Sequence, residues 1–547
     1  MREQTRRSVL RSAAAVGTGI GISAAGTAGA TGAQAAGAAH HRLGQEDTCP
    51  PPLGPVRVGS KDQRYYELVR RGTNARYTGS PDQVRIVGST EHVEEAVRDA
   101  VHGGLRVAVR SGGHCFEDFV DNPEIRMIID MSGMTAVYFD PERNAFAVEA
   151  GATLGEVYRR LYLGWGVTIP GGWCPSVGAG GHVQGGGFGT LSRLHGLTVD
   201  HLYGVEVVTV DGSGRVRTVV ATREDGDPHR DLWWAHTGGG GGNFGVVTRY
   251  WFRSPDAGGS DPARLLPNPP RHVLTFSAAW RWEDLDKAAF TRLMENHGAW
   301  AEANSDAGSP AAALHSDLLL MPAVLGAPYI MGQVSTESNA ERLMRDHLDA
   351  ISAGTAAYSL TRLRKEVPWL QAALIGTGEG VSRRYTKMKS AYAKKTLSRP
   401  QIEAAFSHLT ETDPGRVSGV MTLSTYGGKV GDVAPDATAY AHRGTRIKIG
   451  YVTVWPSPSD ADAYEAGVRN FYRAVYADTG GVPVPNEIND GAYINYPDAD
   501  LRDPAWNTSD TPWHYLYYKD NYRRLQRVKA QYDPTNAFRH RLSIEPA

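Results

Sequence analysis

Residues 171–189 read GGWCPSVGAGGHVQGGGFG, nine glycines in nineteen residues around the thiol of Cys174. Glycine has no Cβ, so a flat ligand can lie directly against the main chain of such a stretch. A flexible linker is the alternative, but Trp173, Cys174, Val177, His182 and Phe188 interrupt the glycines with side chains of defined shape. Two other stretches share this character. In Arg110–Phe119, RSGGHCFEDF, a strand runs into a Gly-Gly turn that can aim successive backbone N–H groups at one ligand. A third glycine run, Gly238–Gly242, is followed by Asn243-Phe244-Gly245 and a β-rich segment. Three such loops point to a nucleotide-type cofactor held by backbone donors.

Around these loops the pattern is α+β. VRIVG at 84–88 reads as a strand, and STEHVEEAVRDAVHGG as a helix stopped by Gly103-Gly104. TLGEVYRRLYLGWG carries Thr153 and Glu156 at capping-box spacing. VEVVTVDGSGRVRTV reads as a hairpin turning at Asp-Gly. After a Gly- and Pro-rich linker near 259, strands such as HVLTFSAAWRW and RIKIGYVTVW alternate with amphipathic helices, suggesting one antiparallel sheet with helices on one face.

Composition narrows the function classes. Net charge is −1, which argues against a nucleic-acid groove or an anionic membrane surface. Three cysteines, Cys49, Cys115 and Cys174, are too few for a disulfide scaffold. Cys174, His182, His195 and His201 lack the paired spacings of a metal site, so no metal is expected. Arg6-Arg7 ahead of a weakly apolar Ala/Gly core, with AQA at 33–35, reads as a twin-arginine signal peptide over 1–35. That core is too glycine-rich and too short, at ~18 residues, for a membrane anchor. The expected partners are therefore the export machinery and a small-molecule substrate, and the expected location is extracellular.

RSGGH at 110–114, CPSVGAGGHVQGGGFG at 174–189, WWAHTGGGGGNFGVVT at 233–248, GAYINYPDADL at 491–501 and RVKAQYDPTNAF at 527–538 together resemble the bicovalent flavoprotein oxidases of the berberine-bridge-enzyme type. The likeness is strongest to the actinomycete branch that tailors glycosylated natural products. It implies an α+β fold: a two-lobed PCMH-type FAD-binding domain over 61–258, after a disordered lead-in at 36–60. A substrate domain follows over 259–495, an antiparallel sheet covered by helices, and segment 496–547 returns to the FAD domain. The resemblance also implies FAD bonded through His114 and Cys174, which would raise its potential. It places Arg110, Ser111, Gly112, Gly113 and Cys115 around the cofactor, with Val177, Gly178, Gly181, His182, Gly185, Gly186, Gly187, Val247 and Asn495. Cys115 is a neighbour in this reading, since only Cys174 matches the tether position.

The implied reaction removes hydride from an alcohol carbon to flavin N5, with O2 as the final acceptor and H2O2 as product. A tyrosine of YINY, Tyr493 or Tyr496, would be the base, and strand alternation would put the two on opposite faces. Lys448 would stabilise the tyrosinate, and Tyr426 would line the substrate side. Val177 occupies a position where a small residue accompanies oxygen use. Phe188 departs from a tyrosine found in several sugar-oxidising relatives, which puts a second oxidation in doubt. Three functions remain open: an oxidase of a sugar or polyketide hydroxyl on a natural product, an oligosaccharide oxidase making lactones, and a flavin carrier without turnover.

Overall fold

The computed structural model describes residues 54–375, 383–413 and 418–547. The expected signal segment 1–35, most of the expected lead-in and Cys49 lie outside the described residues.

Among the described residues, three sheets form the scaffold. The first contains β1 (Val56–Gly59), β2 (Gln83–Ile86), β3 (Val107–Arg110) and β4 (Met127–Asp130), in the order β1-β2-β4-β3. β2, β4 and β3 run parallel, and β4 is buried along its whole length, as expected of an apolar run covered on both faces. The helix Thr90–His102 covers it, capped by Ser89 and burying Val93, Ala96, Val97 and Ala100. The Arg110–Gly113 turn leaves the end of β3.

The second sheet has β5 (Val137–Asp140), β6 (Ala145–Glu149), β7 (Leu202–Val210), β8 (Val216–Thr222) and β9 (Val246–Phe252), ordered β5-β6-β9-β7-β8 and antiparallel throughout. The expected hairpin is β7–β8, and its loop folds around Asp211, whose carboxylate accepts the N–H of Ser213 and of Arg215. Helix Leu154–Trp165 begins with the capping box of Thr153 and Glu156. Its first turn pins the cysteine loop, since Leu154 N–H donates to Val177 O and Gly155 N–H to Pro175 O, both at 2.9 Å.

The third sheet has seven antiparallel strands: β10 (His272–Ala279), β11 (Leu314–Leu320), β12 (Tyr329–Ser335), β13 (Ser359–Pro368), β14 (Tyr385–Ala393), β15 (Val420–Thr425) and β16 (Ile447–Trp455), ordered β13-β10-β12-β11-β15-β16-β14. Helices Lys287–Ala303, Ala340–Ser352, Arg399–Leu409 and Ala461–Val475 pack side by side on one face. Alternation along β16 serves both sides: Tyr451 meets Phe471 and Tyr472 under the helices, while Lys448 and Val452 line a cavity on the other side.

The C-terminal segment ties the lobes together. Helix Tyr522–Tyr532 packs on helix Arg230–Ala235, and buried Lys529 donates to the carbonyls of Asn243 and Phe538, each at 2.6 Å. Further back, Asp498 and Asp500 meet Lys387 and Lys389 on β14 in a buried cluster joined by Glu117 and Arg469. Burial alone would raise the Asp500 carboxyl, but Lys389, Lys387 and Arg469 outweigh it and hold its pKa well below the usual range. A depressed folded-state pKa gives stability that is present above the unfolded carboxylate range and is lost as pH falls through the folded value. Removing one charge leaves its buried partners uncompensated. Asp500→Asn is expected to destabilise the protein by roughly 3–5 kcal/mol, read from the chemical denaturation midpoint at neutral pH; an unchanged midpoint would contradict this role.

Candidate active site

A cavity of about 920 Å³ lies between the glycine loops and the open face of the third sheet. That volume is near the upper end for small-molecule sites. Arg110–Cys115, the 172–182 segment and Gly240–Val247 line one side, and Met388, Thr422, Ser424, Lys448 and Val452 the other, closed by Tyr493–Pro497. All expected cofactor residues of the first loop, together with Cys174, Val177, Gly178, Gly181, His182, Val247 and Asn495, stand on this cavity.

The first and second loops touch through bare backbone. A Cβ on Gly112 would sit 2.3 Å from the Gly178 nitrogen, so neither loop tolerates a side chain there. This contact brings His114 and Cys174, 60 residues apart in sequence, to one hydroxyl. His114 Nε2 is 3.1 Å from Ser176 Oγ, and Cys174 Sγ is 3.5 Å from the same oxygen. Burial pushes the His114 imidazole down to about 4, so it is neutral at physiological pH. His182 is held similarly, at about 4, by burial and then by the Lys448 charge. Its Nε2 accepts the Gly172 N–H at 3.0 Å and so braces the loop that carries Cys174. Cys115 faces the opposite condition, because burial pushes its thiol up to about 12.

On the sheet side, Lys448 Nζ donates to Tyr496 Oη at 3.1 Å and stands 4.3 Å from that ring, 5.2 Å from Phe188 and 5.3 Å from Tyr493. Lys448 is thus a buried site residue. The two tyrosines do not alternate across a strand. Tyr496 N–H donates to Tyr493 O at 2.9 Å, a turn favoured by Asn495, and Pro497 follows. Their rings meet at 5.2 Å instead of facing opposite ways. They differ in environment. Tyr493 is buried, takes a hydrogen bond from Asn495 Nδ2 at 2.9 Å, and has its pKa raised by burial.

Four expectations need correction. Tyr426 does not reach the cavity. It is fully buried behind Phe188, stacked at 4.6 Å, with its hydroxyl 2.7 Å from that of Tyr440, which donates to Tyr392. Gly185, Gly186 and Gly187 are also off the lining. Added Cβ atoms there would strike Asn495 Oδ1, the Tyr440 ring and Thr198 Oγ1, at 2.0, 2.7 and 2.5 Å, so these glycines admit neighbouring protein, not a ligand.

Asp317, Ser424, His315 and His540, none of them marked by a sequence motif, complete the wall. Asp317, Ser424 and Lys448 are in register on adjacent strands β11, β15 and β16. Asp317 accepts from the Ser424 hydroxyl and lies 3.2 Å from His315 Nε2. Burial alone would raise the Asp317 carboxyl; His315, Ser424 and then Lys448 outweigh it and hold the pKa down. Asp317 is therefore a carboxylate that counterbalances the buried ammonium. From the tail, His540 stacks on Phe119 at 3.8 Å and caps the third glycine loop at Gly241 O.

The surroundings fit a flavin nucleotide. A Cβ on Gly181 would meet nothing within 4 Å and would project into free cavity space. Arg110, salt-bridged to Asp130, keeps a buried Nη1 without a partner beside the Ser111–Gly113 turn. Among the described residues no group of three or more His, Cys, Asp or Glu is placed to hold a metal ion.

This fold and this backbone-lined site define an FAD-dependent oxidoreductase, and comparison with known proteins agrees. The FAD binding domain family model matches residues 81–218, and the model for berberine and berberine like proteins matches residues 492–545. The aclacinomycin-N/aclacinomycin-A oxidase of Streptomyces galilaeus is 49% identical, with 100% of this chain and 99% of the relative covered. Hexose oxidase of Chondrus crispus is 32% identical, covering 89% and 95%. Among solved structures, a glycopeptide hexose oxidase complexed with teicoplanin aligns at TM-score 0.88 and 50% identity, over 91% of this chain and 100% of that one. Aclacinomycin oxidoreductase aligns at 0.85 and 50%, over 89% and 98%. The chain belongs to the berberine-bridge-type family of FAD-linked oxidoreductases.

Filling the cradle should separate cofactor binding from folding. Gly181→Leu is expected to keep the far-ultraviolet circular dichroism of the parent while flavin per chain falls at least roughly tenfold, the loss of ~1.4 kcal/mol of binding. Full flavin content in that variant would contradict the assignment.

Proposed function

We propose that the protein is an exported oxidase that carries FAD on two covalent tethers, His114 and Cys174, and dehydrogenates an alcohol carbon on a glycosylated or polyketide-type natural product, with O2 reduced to H2O2. The observation that carries this reading is one cavity holding both the converged His114–Cys174 pair and a tyrosine hydroxyl paired with a buried ammonium.

Bound there, FAD supplies the hydride acceptor and the oxygen-reactive reduced form. The protein supplies proton handling. Tyr496 Oη takes the proton of the substrate hydroxyl, and the Lys448 ammonium, 3.1 Å away, stabilises the phenolate charge. Asp317 keeps Lys448 from being an isolated buried cation. Tyr493 is the lesser candidate, because burial penalises its charged form. His114 Nε2 is engaged by Ser176, which leaves Nδ1 for a bond to the cofactor. Val177 on the cavity lining supports oxygen as the acceptor, by the family resemblance. Phe188 has no hydroxyl to offer, which supports a single dehydrogenation.

The substrate class follows from the wall beside Tyr496. Phe116 meets its ring edge-on at 5.6 Å, and Met388 and Val452 continue an apolar surface. Such a shelf suits an aromatic or polyketide aglycone beside a reacting sugar. The substrates in the names of two relatives, aclacinomycin and a glycopeptide, support the same class. The hexose oxidase relative favours a second reading, oxidation of free sugars to lactones. The twin-arginine pattern of residues 1–35 supports export, and among the described residues no helix is long and apolar enough to cross a membrane.

Anaerobic stopped-flow reduction with glycosylated polyketides, glycopeptides and free sugars distinguishes these readings. Bleaching of the flavin band is expected with the glycosylated natural products; reduction by free sugars alone selects the second reading, and no reduction by any alcohol discards both. With a reducing substrate, Tyr496→Phe is expected to slow reduction ~10²–10⁴-fold and Tyr493→Phe less than tenfold; the reverse order would move the base to Tyr493. His114→Ala and Cys174→Ala should each retain flavin on the other tether after acid precipitation, with slower reduction than the parent. Release of all flavin by acid from the parent protein would rule out the tethers.

A further inference from the structure

Ser176 stands between the two tether residues and belongs to neither. Its Oγ lies 3.1 Å from His114 Nε2 and 3.5 Å from Cys174 Sγ. The loop that carries it is rigidly seated: Val177 N–H donates to Cys174 O at 3.2 Å, and Pro175 O and Val177 O accept from the first turn of helix Leu154–Trp165. The backbone that carries the serine is therefore fixed by hydrogen bonds on both sides. A neutral imidazole has one bare nitrogen, and a hydroxyl can accept one hydrogen bond while donating another. The arrangement accommodates a directed chain, with Cys174 S–H donating to Ser176 Oγ and Ser176 O–H donating to His114 Nε2.

We propose that Ser176 is a positioning residue that relays the Cys174 thiol proton to His114 and so prepares the thiolate for its bond to the flavin. The inference rests on the bicovalent reading above. Only the thiolate, not the thiol, is the nucleophile, so the thiol proton has to leave before or as the bond forms. Passing the proton through Oγ to Nε2 as the Sγ–C6 bond forms leaves a transient imidazolium, which burial of His114 then drives to release its proton. Overall, one bond forms between Cys174 Sγ and C6 of the flavin ring, the position that the family resemblance implies; the thiol proton and the C6 hydrogen leave as two protons, and two electrons enter the flavin. O2 accepts those two electrons and two protons as H2O2, so the step balances. His114 can serve in this way before or after its own bond, provided that bond uses Nδ1. The relay also favours one thiol over the other, because Cys174 Sγ meets Ser176 Oγ at 3.5 Å, whereas burial pushes the Cys115 thiol up to about 12.

The test compares the purified parent, Ser176→Ala and Ser176→Thr holoenzymes by peptide mass spectrometry, scoring flavin on His114 and on Cys174 separately. Ser176→Ala is expected to keep flavin on His114 while the Cys174-linked fraction falls at least tenfold at neutral pH; Ser176→Thr, which retains a hydroxyl, should match the parent. Incubating the aerobic Ser176→Ala holoenzyme at pH 9.5 should restore the Cys174 bond, since the thiolate then forms unaided. A Ser176→Ala protein as fully Cys174-linked as the parent overturns the relay. Failure to recover at high pH overturns it too, because a displaced loop, unlike a missing proton acceptor, is not repaired by base. If the parent itself lacks the Cys174 bond, the bicovalent reading falls, an outcome distinct from loss of the relay alone.

Discussion

Gly112 and Gly178 meet backbone to backbone, and the site is organised by that contact. With a Cβ on Gly112 the nearest atom would be 2.3 Å away, and with one on Gly178 it would be the Ser111 hydroxyl at 2.0 Å. No L side chain fits either gap. The consequence is positional. Two loops from different parts of the FAD-binding region close to main-chain distance, and the imidazole just after Gly112 and the thiol just before Gly178 reach a common oxygen. Glycine here gives proximity, at the ordinary entropic cost of a flexible residue. The hydrogen bonds from helix Leu154–Trp165 to Pro175 O and Val177 O offset that flexibility by fixing the cysteine loop.

The third sheet provides the opposing chemistry. Strand register sets Asp317, Ser424 and Lys448 side by side on three neighbouring strands, and the turn at Tyr493–Tyr496 lowers one phenol onto the ammonium. The charges are arranged in sequence: carboxylate, ammonium, hydroxyl. A lone buried lysine would be driven toward its neutral form; the Asp317 carboxylate opposes that. The C-terminal segment then determines whether the two halves stay in register. Lys529 holds the third glycine loop through Asn243 O, and Asp498 and Asp500 anchor the chain on the far edge of the sheet.

Much of this was legible in local sequence. The capping box at Thr153, the hairpin at Asp211, the glycine turn after β3 and the apolar periodicity of Thr90–His102 each depend on neighbours within a few residues, so spacing reveals them. The family resemblance brought together His114, Cys174 and Lys448, which no spacing argument could. Other features depend on distant register or on a third partner. His315 and Asp317 lie on a strand that reads as ordinary apolar chain, and only its pairing with β15 and β16 reveals their role. Tyr493 and Tyr496 look like alternating strand residues, but Asn495 and the adjacent Pro497 favour a turn. Tyr426 and Gly185–Gly187 sit close to the motif in the fold yet serve packing, a distinction set by Phe188, Tyr440, Thr198 and Asn495. Ser176 was inside a quoted motif and carried no signal until the two side chains beside it were located.

The convergence of His114 and Cys174 on one ligand is the claim on which everything else rests. Tandem mass spectrometry of a protease digest of the purified yellow protein tests it most directly. The account predicts one flavin joining the peptide that contains His114 to the peptide that contains Cys174. Recovery of both peptides unmodified, or of flavin on Cys115 instead, would contradict it.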